Sequence, residues 1–327
     1  MNRPPEVFVT VREEDLLAFV QVCFEKAGLD AGHAALISRL LVNCDLRGVR
    51  SHGSSCANGY CRALEEGRYN PHPEYRWLSE RQSVAVLSGG GTVGYQPMAM
   101  AAERAVAKAR DTGLGMVTVR HIGHYGAAGH YSRMCMEAGC IGFSVQGYYN
   151  HGNARGAETP PQIGYFGNPP ISFAIPGGEE ADVVLDAATC ILADYQRGPE
   201  YDALLEKIPA AFFKSMGYTA VASLMGGALA GISIDDETTS RWPQARYGGM
   251  VMAIDVESVV GIAVLRREVD RMVRDLGDTY QPMPGTDRAQ LPGAIEAQRM
   301  ERYRRDGIPF GEREQSSITG LAERLGL

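Results

Sequence analysis

Apolar residues recur at helical spacing through the first seventy positions. Leu16, Leu17, Val20, Cys23 and Phe24 repeat at intervals that place them on one face of a helix. Thr10 and Glu13 are spaced as a capping box at its start, and Gly28 ends the run. A second helix is predicted from Asp30, with Ala34, Ile37, Leu40 and Leu41 facing inward, and it stops near Gly48. A third carries Tyr60 and Leu64 and ends at Gly67, before the turn chemistry of Tyr69-Asn-Pro-His-Pro73.

From about residue 83 strands and helices alternate. Strands are predicted at Ser83–Ser88, Met116–Arg120, Ile141–Gln146, Ile171–Ile175, Val183–Asp186 and Met250–Asp255. Helices are predicted at Pro97–Asp111, Ala127–Ala138, Tyr218–Ala230 and Val256–Leu276. Residues 147–170, rich in Gly, Pro, Asn and Tyr and without a period, read as a long functional loop or lid. The tail, Ala294–Asp306 and Ser316–Leu327, is helical again and suited to pack on the N-terminal helices. This is the texture of an α/β or α+β chain.

Composition narrows the function. A formal charge of −7 in 327 residues lacks the basic footprint that nucleic acid requires. No apolar run approaches the roughly 20 residues that span a bilayer, and the N-terminus has no apolar signal segment, so a cytoplasmic protein is expected. Seven cysteines without a C-x-x-C pair, several inside apolar helical patterns, read as reduced thiols. Lysine is scarce, occurring only at positions 26, 108, 207 and 214.

Two constellations invite chemistry. Gly89-Gly-Gly-Thr-Val-Gly94 fits a dinucleotide-binding fingerprint and lies between a strand and a helix. The second strand, however, ends in Val119-Arg120-His121 with no acidic residue for a ribose, so a glycine-rich strand-to-helix turn is the preferred reading. His121, His124, His130 and His151 lie close together, but no Asp, Glu or Cys at ligand spacing completes a metal site, and none is expected. His124 stands at a strand-to-helix junction, where a side chain projects into a loop-enclosed crevice. A histidine there can exchange a proton with the oxygen or nitrogen of a carbonyl or imine undergoing hydride transfer.

Seven ordered segments carry a resemblance: Arg47-Gly-Val-Arg-Ser-His-Gly53 with Tyr60, His124-Tyr-Gly-Ala-Ala-Gly129, Gly139-Cys-Ile-Gly142, Pro170-Ile-Ser-Phe-Ala-Ile-Pro176, Asp186-Ala-Ala-Thr189, Leu291-Pro-Gly-Ala-Ile-Glu296 and Gly307-Ile-Pro309. Together they resemble the malate/L-lactate dehydrogenase-like (type 2) family, which includes sulfolactate, ureidoglycolate, diketogulonate and cyclic imino acid enzymes. The resemblance implies a non-Rossmann fold, with a helical domain from residues 1–75 and 285–327 and a central α/β domain over 76–284. It also implies a homodimer acting on a small molecule, with NAD or NADP as cofactor. By the same resemblance His124 is the catalytic acid/base, and Ser51, His52 and Tyr60 line the substrate side; His52 is expected to assist by orienting the reacting oxygen or nitrogen, with Arg50 and Cys56 also on that side. Tyr148, Asp186, Ala188, Thr189, Cys190, Lys214, Gly307, Ile308 and Pro309 fall on the cofactor side.

The chain departs from that family at several points. Cys56 stands where an arginine is common, so Arg50 or Arg155 would have to supply a cation for a substrate carboxylate. Gly167-Asn-Pro-Pro170 replaces a Gly-Thr-Asn-Pro loop, and the chain is short between Cys190 and Lys214. Two readings follow: an NAD(P)-dependent oxidoreductase acting on a small 2-oxo acid-like carbonyl or cyclic imine, or a scaffold that has lost nicotinamide binding and serves as a cofactor-independent isomerase, cyclase or lyase, or as a ligand binder.

Overall fold

The computed structural model describes residues 4–148, 167–191, 198–234 and 236–327. Two packed bodies of structure emerge from the patterning. In the first, helices α1 (Glu13–Lys26), α2 (Ala31–Leu46) and α3 (Ala57–Glu65) bury their apolar faces in one core with residues from the other end of the chain. Leu16, Val20, Phe24, Ile37 and Leu41 meet Tyr303, Ile308, Phe310 and Leu321 there. Asp30 caps α2 by accepting from the His33 N–H at 3.0 Å, which satisfies one of the amides a helix start leaves open.

The second body is a seven-stranded sheet in the order β2-β3-β4-β8-β5-β6-β7. Its strands are β2 (Arg76–Glu80), β3 (Val84–Thr92), β4 (Leu114–Ile122), β5 (Cys140–Tyr148), β6 (Pro170–Ile175), β7 (Val183–Ala188) and β8 (Tyr247–Asp255). Only β3 and β4 run parallel, joined by α4 (Tyr95–Thr112); every other neighbour is antiparallel. Helix α5 (Gly129–Glu137) lies on β5, close enough that a Cβ on Gly142 would sit 2.0 Å from the Ser132 carbonyl oxygen. The fold is the mixed α/β class expected, and no helix among the described residues is long and apolar enough to cross a membrane.

Four local expectations are corrected. Thr10 does not cap α1. It lies in β1 (Val9–Val11), which pairs with β9 (Ile308–Phe310), so a partner some 300 residues away decides its conformation. The glycines at 89–91 extend β3 rather than forming a turn, because a side chain at 89 would meet Ile122 and one at 91 would meet Trp242. Their bare backbone lets Ile122 and Trp242 pack against the strand. The helix expected at Tyr218–Ala230 begins earlier, as α7 (Pro209–Ser223), with Pro at the first helical position where its missing N–H costs nothing. It ends in a wide turn, Leu224–Ala228, that presses Gly226 and Gly227 against the backbone of Gly147. The helix expected from Val256 begins only at Ile262 (α9, Ile262–Thr279), after a turn closed by Gly261 at φ 79°.

The remaining helices are α6 (Pro199–Lys207), α8 (Glu237–Arg241), α10 (Ala294–Asp306) and α11 (Glu312–Leu325). Most of the expected loop at 147–170, with Arg155, Tyr149 and His151, lies outside the described residues.

Candidate active site

The strand β4 carries the chain to His121 and then turns at Gly123, where any side chain would strike the Tyr69 ring. That close approach delivers His124 into a cleft of about 690 Å³ between the sheet and the helical body. The cleft walls include Ser51, His52, His124, Arg133, Gln146, Tyr148, Asn168, Asp186, Ala188, Tyr247 and Glu296.

Three groups fix the His124 ring. Its Nδ1 lies 2.6 Å from the Tyr60 hydroxyl and accepts from the Gly126 N–H at 3.3 Å. The Tyr95 hydroxyl donates in turn to that of Tyr60 at 3.3 Å, so Tyr60 spends its own proton on His124. An acceptor Nδ1 means that the ring proton resides on Nε2, the nitrogen left to the cleft. His52 stacks on His124 with ring centroids 5.5 Å apart, and its Nδ1 lies 2.8 Å from the Ser51 hydroxyl. Burial, reinforced by the neighbouring His52, pushes the His124 pKa down to about 3, and burial also lowers that of His52. At neutral pH both rings are uncharged.

The opposite wall is held from behind. Asp186 accepts from the Gly129 N–H at 2.9 Å; burial raises its pKa, against the pull of the Arg133 charge. The Tyr148 hydroxyl accepts from the Asn168 N–H at 2.7 Å and sits where a side chain on Gly167, at φ 68°, would fall. Thr189 donates to the Pro169 carbonyl at 2.6 Å, and the Cys190 N–H to the Asn168 side chain at 3.0 Å. Thr189 and Cys190 therefore shape the 167–170 loop from outside the cleft.

Of the residues nominated from sequence, His124, His52, Ser51, Tyr148, Asp186 and Ala188 line one cleft. Tyr60 reaches it through His124, while Cys56 faces a second cavity with Tyr60 and donates its thiol to the Ser51 carbonyl at 3.3 Å. Arg50 is turned to the buried carboxylate of Glu314. Lys214 is exposed on α7, and Gly307, Ile308 and Pro309 lie at β9 beside β1; none of these is among the cleft-lining residues. Arg133 and Gln146 went unnoticed in the sequence. In the sequence Arg133 is an ordinary charge on a short helix and Gln146 an ordinary strand residue. No group of three or more His, Cys, Asp or Glu among the described residues is arranged to hold a metal.

Comparison with known proteins agrees with this architecture. The malate/L-lactate dehydrogenase family model matches residues 11–196 and 201–319. The chain is 27% identical to a malate dehydrogenase of Pyrococcus horikoshii, covering 98% of this chain and 97% of that protein. It is 27% identical to an L-sulfolactate dehydrogenase of Methanocaldococcus jannaschii over 93% of each. An Escherichia coli ureidoglycolate dehydrogenase (NAD(+)) is 25% identical over 86% of this chain and 87% of its own. The solved structure of the P. horikoshii malate dehydrogenase superposes with a TM-score of 0.85 at 23% identity, covering 99% of this chain and 98% of that one. The chain belongs to the malate/L-lactate dehydrogenase family of oxidoreductases.

Proposed function

We propose that the protein is an NAD(P)-dependent oxidoreductase that interconverts a small 2-oxo acid-like carbonyl or cyclic imine with its reduced form, with His124 as the acid/base. The observation that carries this reading is the placement of a neutral, hydrogen-bonded His124 in a cleft with His52 and Ser51 on one side and Arg133 on the other. The cleft fits a nicotinamide group. Ala127, Ala128, Ala187, Ala188, Pro292 and Gly293 give it small walls, and the Gln146 side-chain oxygen is buried without a partner, an acceptor suited to a carboxamide N–H. Nicotinamide, when bound, supplies or takes the hydride.

The protein's own residues handle the proton. In reduction, Nε2 of His124 gives its hydrogen to the developing alkoxide or amine nitrogen; in oxidation it removes one. His52, stacked on that ring, orients the reacting oxygen or nitrogen, and the Arg133 guanidinium offers a charge for an acidic group. Names of relatives support the substrate class: malate, sulfolactate and ureidoglycolate dehydrogenases act on hydroxy acids.

Two measurements test the reading. Titration with NADH and NADPH, followed by fluorescence, should show saturable binding of one of them; no binding at millimolar concentration favours the cofactor-free scaffold instead. His124→Ala should lower turnover roughly 100-fold or more, the usual worth of a general acid, while leaving nucleotide binding intact. Full turnover in that variant would remove His124 from the mechanism.

A further inference from the structure

His124 is approached from two sides. Nε2 belongs to the reaction cleft, whereas Nδ1 is taken by Tyr60, whose ring forms part of the wall of a separate cavity of about 450 Å³. That cavity is bounded by Ser55, Cys56, Gly59, Arg68, Gln244 and Arg313, among others. We propose that Tyr60 is a positioning and relay residue that refills the His124 proton from water in this second cavity while substrate and cofactor occupy the first. The inference rests on the oxidoreductase reading of the main cleft.

The chemistry requires a refill. With its pKa near 3, His124 starts neutral, so release of the Nε2 proton alone would leave an imidazolate. Among the described residues, the O–H on Nδ1 is that of Tyr60. As the Nε2–H bond breaks and the product O–H bond forms, the Tyr60 O–H bond breaks and Nδ1–H forms. The phenol oxygen then recovers a proton from water in the cavity. One hydride from reduced nicotinamide and one proton from solvent reach the substrate, and no protein group changes oxidation state. The ring finishes with its proton on Nδ1, the tautomer that serves the reverse reaction; for the next reduction, solvent protonates Nε2 once product has left and Nδ1 returns its proton to water through Tyr60.

The second cavity has a basic rim. Arg313 has no hydrogen-bond or ion-pair partner among the described residues, and its charge is near enough to pull down the Cys56 thiol against the rise that burial causes. Arg68 reaches the same cavity while paired with Glu66 at 2.7 Å. Burial, aided by Cys56, holds the Tyr60 phenol well above the ordinary range, and the hydrogen bond from Tyr95 works against that rise. Tyr95 contributes a second hydroxyl to the Tyr60 oxygen as it gives up its proton.

Gly59 provides a clean test. It lies on the cavity wall, and a Cβ there would meet nothing within 4 Å, so a side chain can be introduced at the cavity mouth without a clash at its root. In the full-length protein, Tyr60→Phe should lower reductive turnover roughly 100-fold with unchanged NADH or NADPH affinity. It should also turn a curved proton inventory in H2O/D2O mixtures, the sign of two protons in flight, into a straight one. Gly59→Phe should slow exchange of the Tyr60 hydroxyl proton with solvent, read by NMR in the resting protein. Retention of the curved inventory in Tyr60→Phe, or an unchanged exchange rate in Gly59→Phe, overturns the relay. Absence of any nicotinamide turnover in the parent protein would instead overturn the oxidoreductase reading, and the exchange rate would still judge the relay.

Discussion

Buried titratable side chains set how the molecule responds to acid. Burial lowers the pKa of His33 to about 4 and those of His124 and His130 to about 3. Each therefore binds a proton less readily in the fold than in the unfolded chain. Their stabilising contribution is present above the unfolded value of about 6.5 and drains as pH falls toward 3. Asp45 acts in the opposite sense. Burial raises its pKa to about 7, although the Ser54 N–H donates to it at 2.8 Å, so its ionisation costs stability as pH climbs from about 3.8 to 7. Burial likewise lowers the pKa of His52 and of His121 and raises that of Asp186, so five histidines stand against two carboxyls, and the melting temperature should fall below pH 6. Asp45→Asn should raise it by roughly 2–4 °C at pH 8, the effect of about 1 kcal/mol in a domain of this order, and steepen the acid decline. Calorimetric scans from pH 4 to 8 check this, and an unchanged pH slope in the variant would remove Asp45 from the account. None of these shifts is visible in composition, because they depend on how completely distant elements cover each ring.

Elements were legible where their period was local. The strands at 116–120 and 141–146, the helix at 97–111 and the tail helix at 294–306 all formed; the first three are longer by three or four residues, and the tail helix has the expected bounds. The β1 and β9 strands were not legible: three residues each carry no period, and pairing across the whole chain creates them. Of the site, the segment Arg120–Gly126 and the pair Ser51-His52 announced themselves, since histidine at a strand end is rare chemistry in a packing role. Arg133 and Gln146 did not, because only the crossing of α5 over β5 turns them toward the cleft. That crossing depends on bare backbone. A Cβ at Gly142 would lie 2.0 Å from the Ser132 carbonyl and 2.8 Å from the Cys135 Cβ, contacts that rigid backbone cannot relieve. Gly142→Ala should lift α5 from the sheet and cost about 1–3 kcal/mol, with catalytic turnover reduced because Arg133 and Gly129 move with it. A denaturant midpoint equal to the parent's would show that α5 tolerates the added methyl.

The whole molecule is tied together by contacts between chain ends, and the Arg50–Glu314 ion pair lies on that seam. Arg50 follows α2 beside Ser51 and His52, while Glu314 sits in the first turn of α11 and is 3% exposed. The carboxylate of Glu314 also accepts from the Gly311 N–H at 3.1 Å, so one buried charge secures the entry to α11 and anchors the Arg50–His52 segment. From the sequence alone Arg50, next to Ser51 and His52, is a candidate cation for a substrate carboxylate. Its pairing with Glu314 favours an architectural role, and the two roles separate experimentally. Replacing Arg50 with methionine keeps the aliphatic bulk but leaves a buried carboxylate uncompensated, for which about 3–5 kcal/mol is the typical cost. Arg50→Met should therefore unfold at markedly lower denaturant than the parent, and Arg50→Met with Glu314→Gln should recover much of that loss because the stranded charge is gone. At temperatures where the single variant stays folded, KM for an acidic substrate should match the parent's. A large rise in KM without loss of stability would return Arg50 to the substrate and leave the seam to the apolar contacts of Ile308, Phe310 and Leu321.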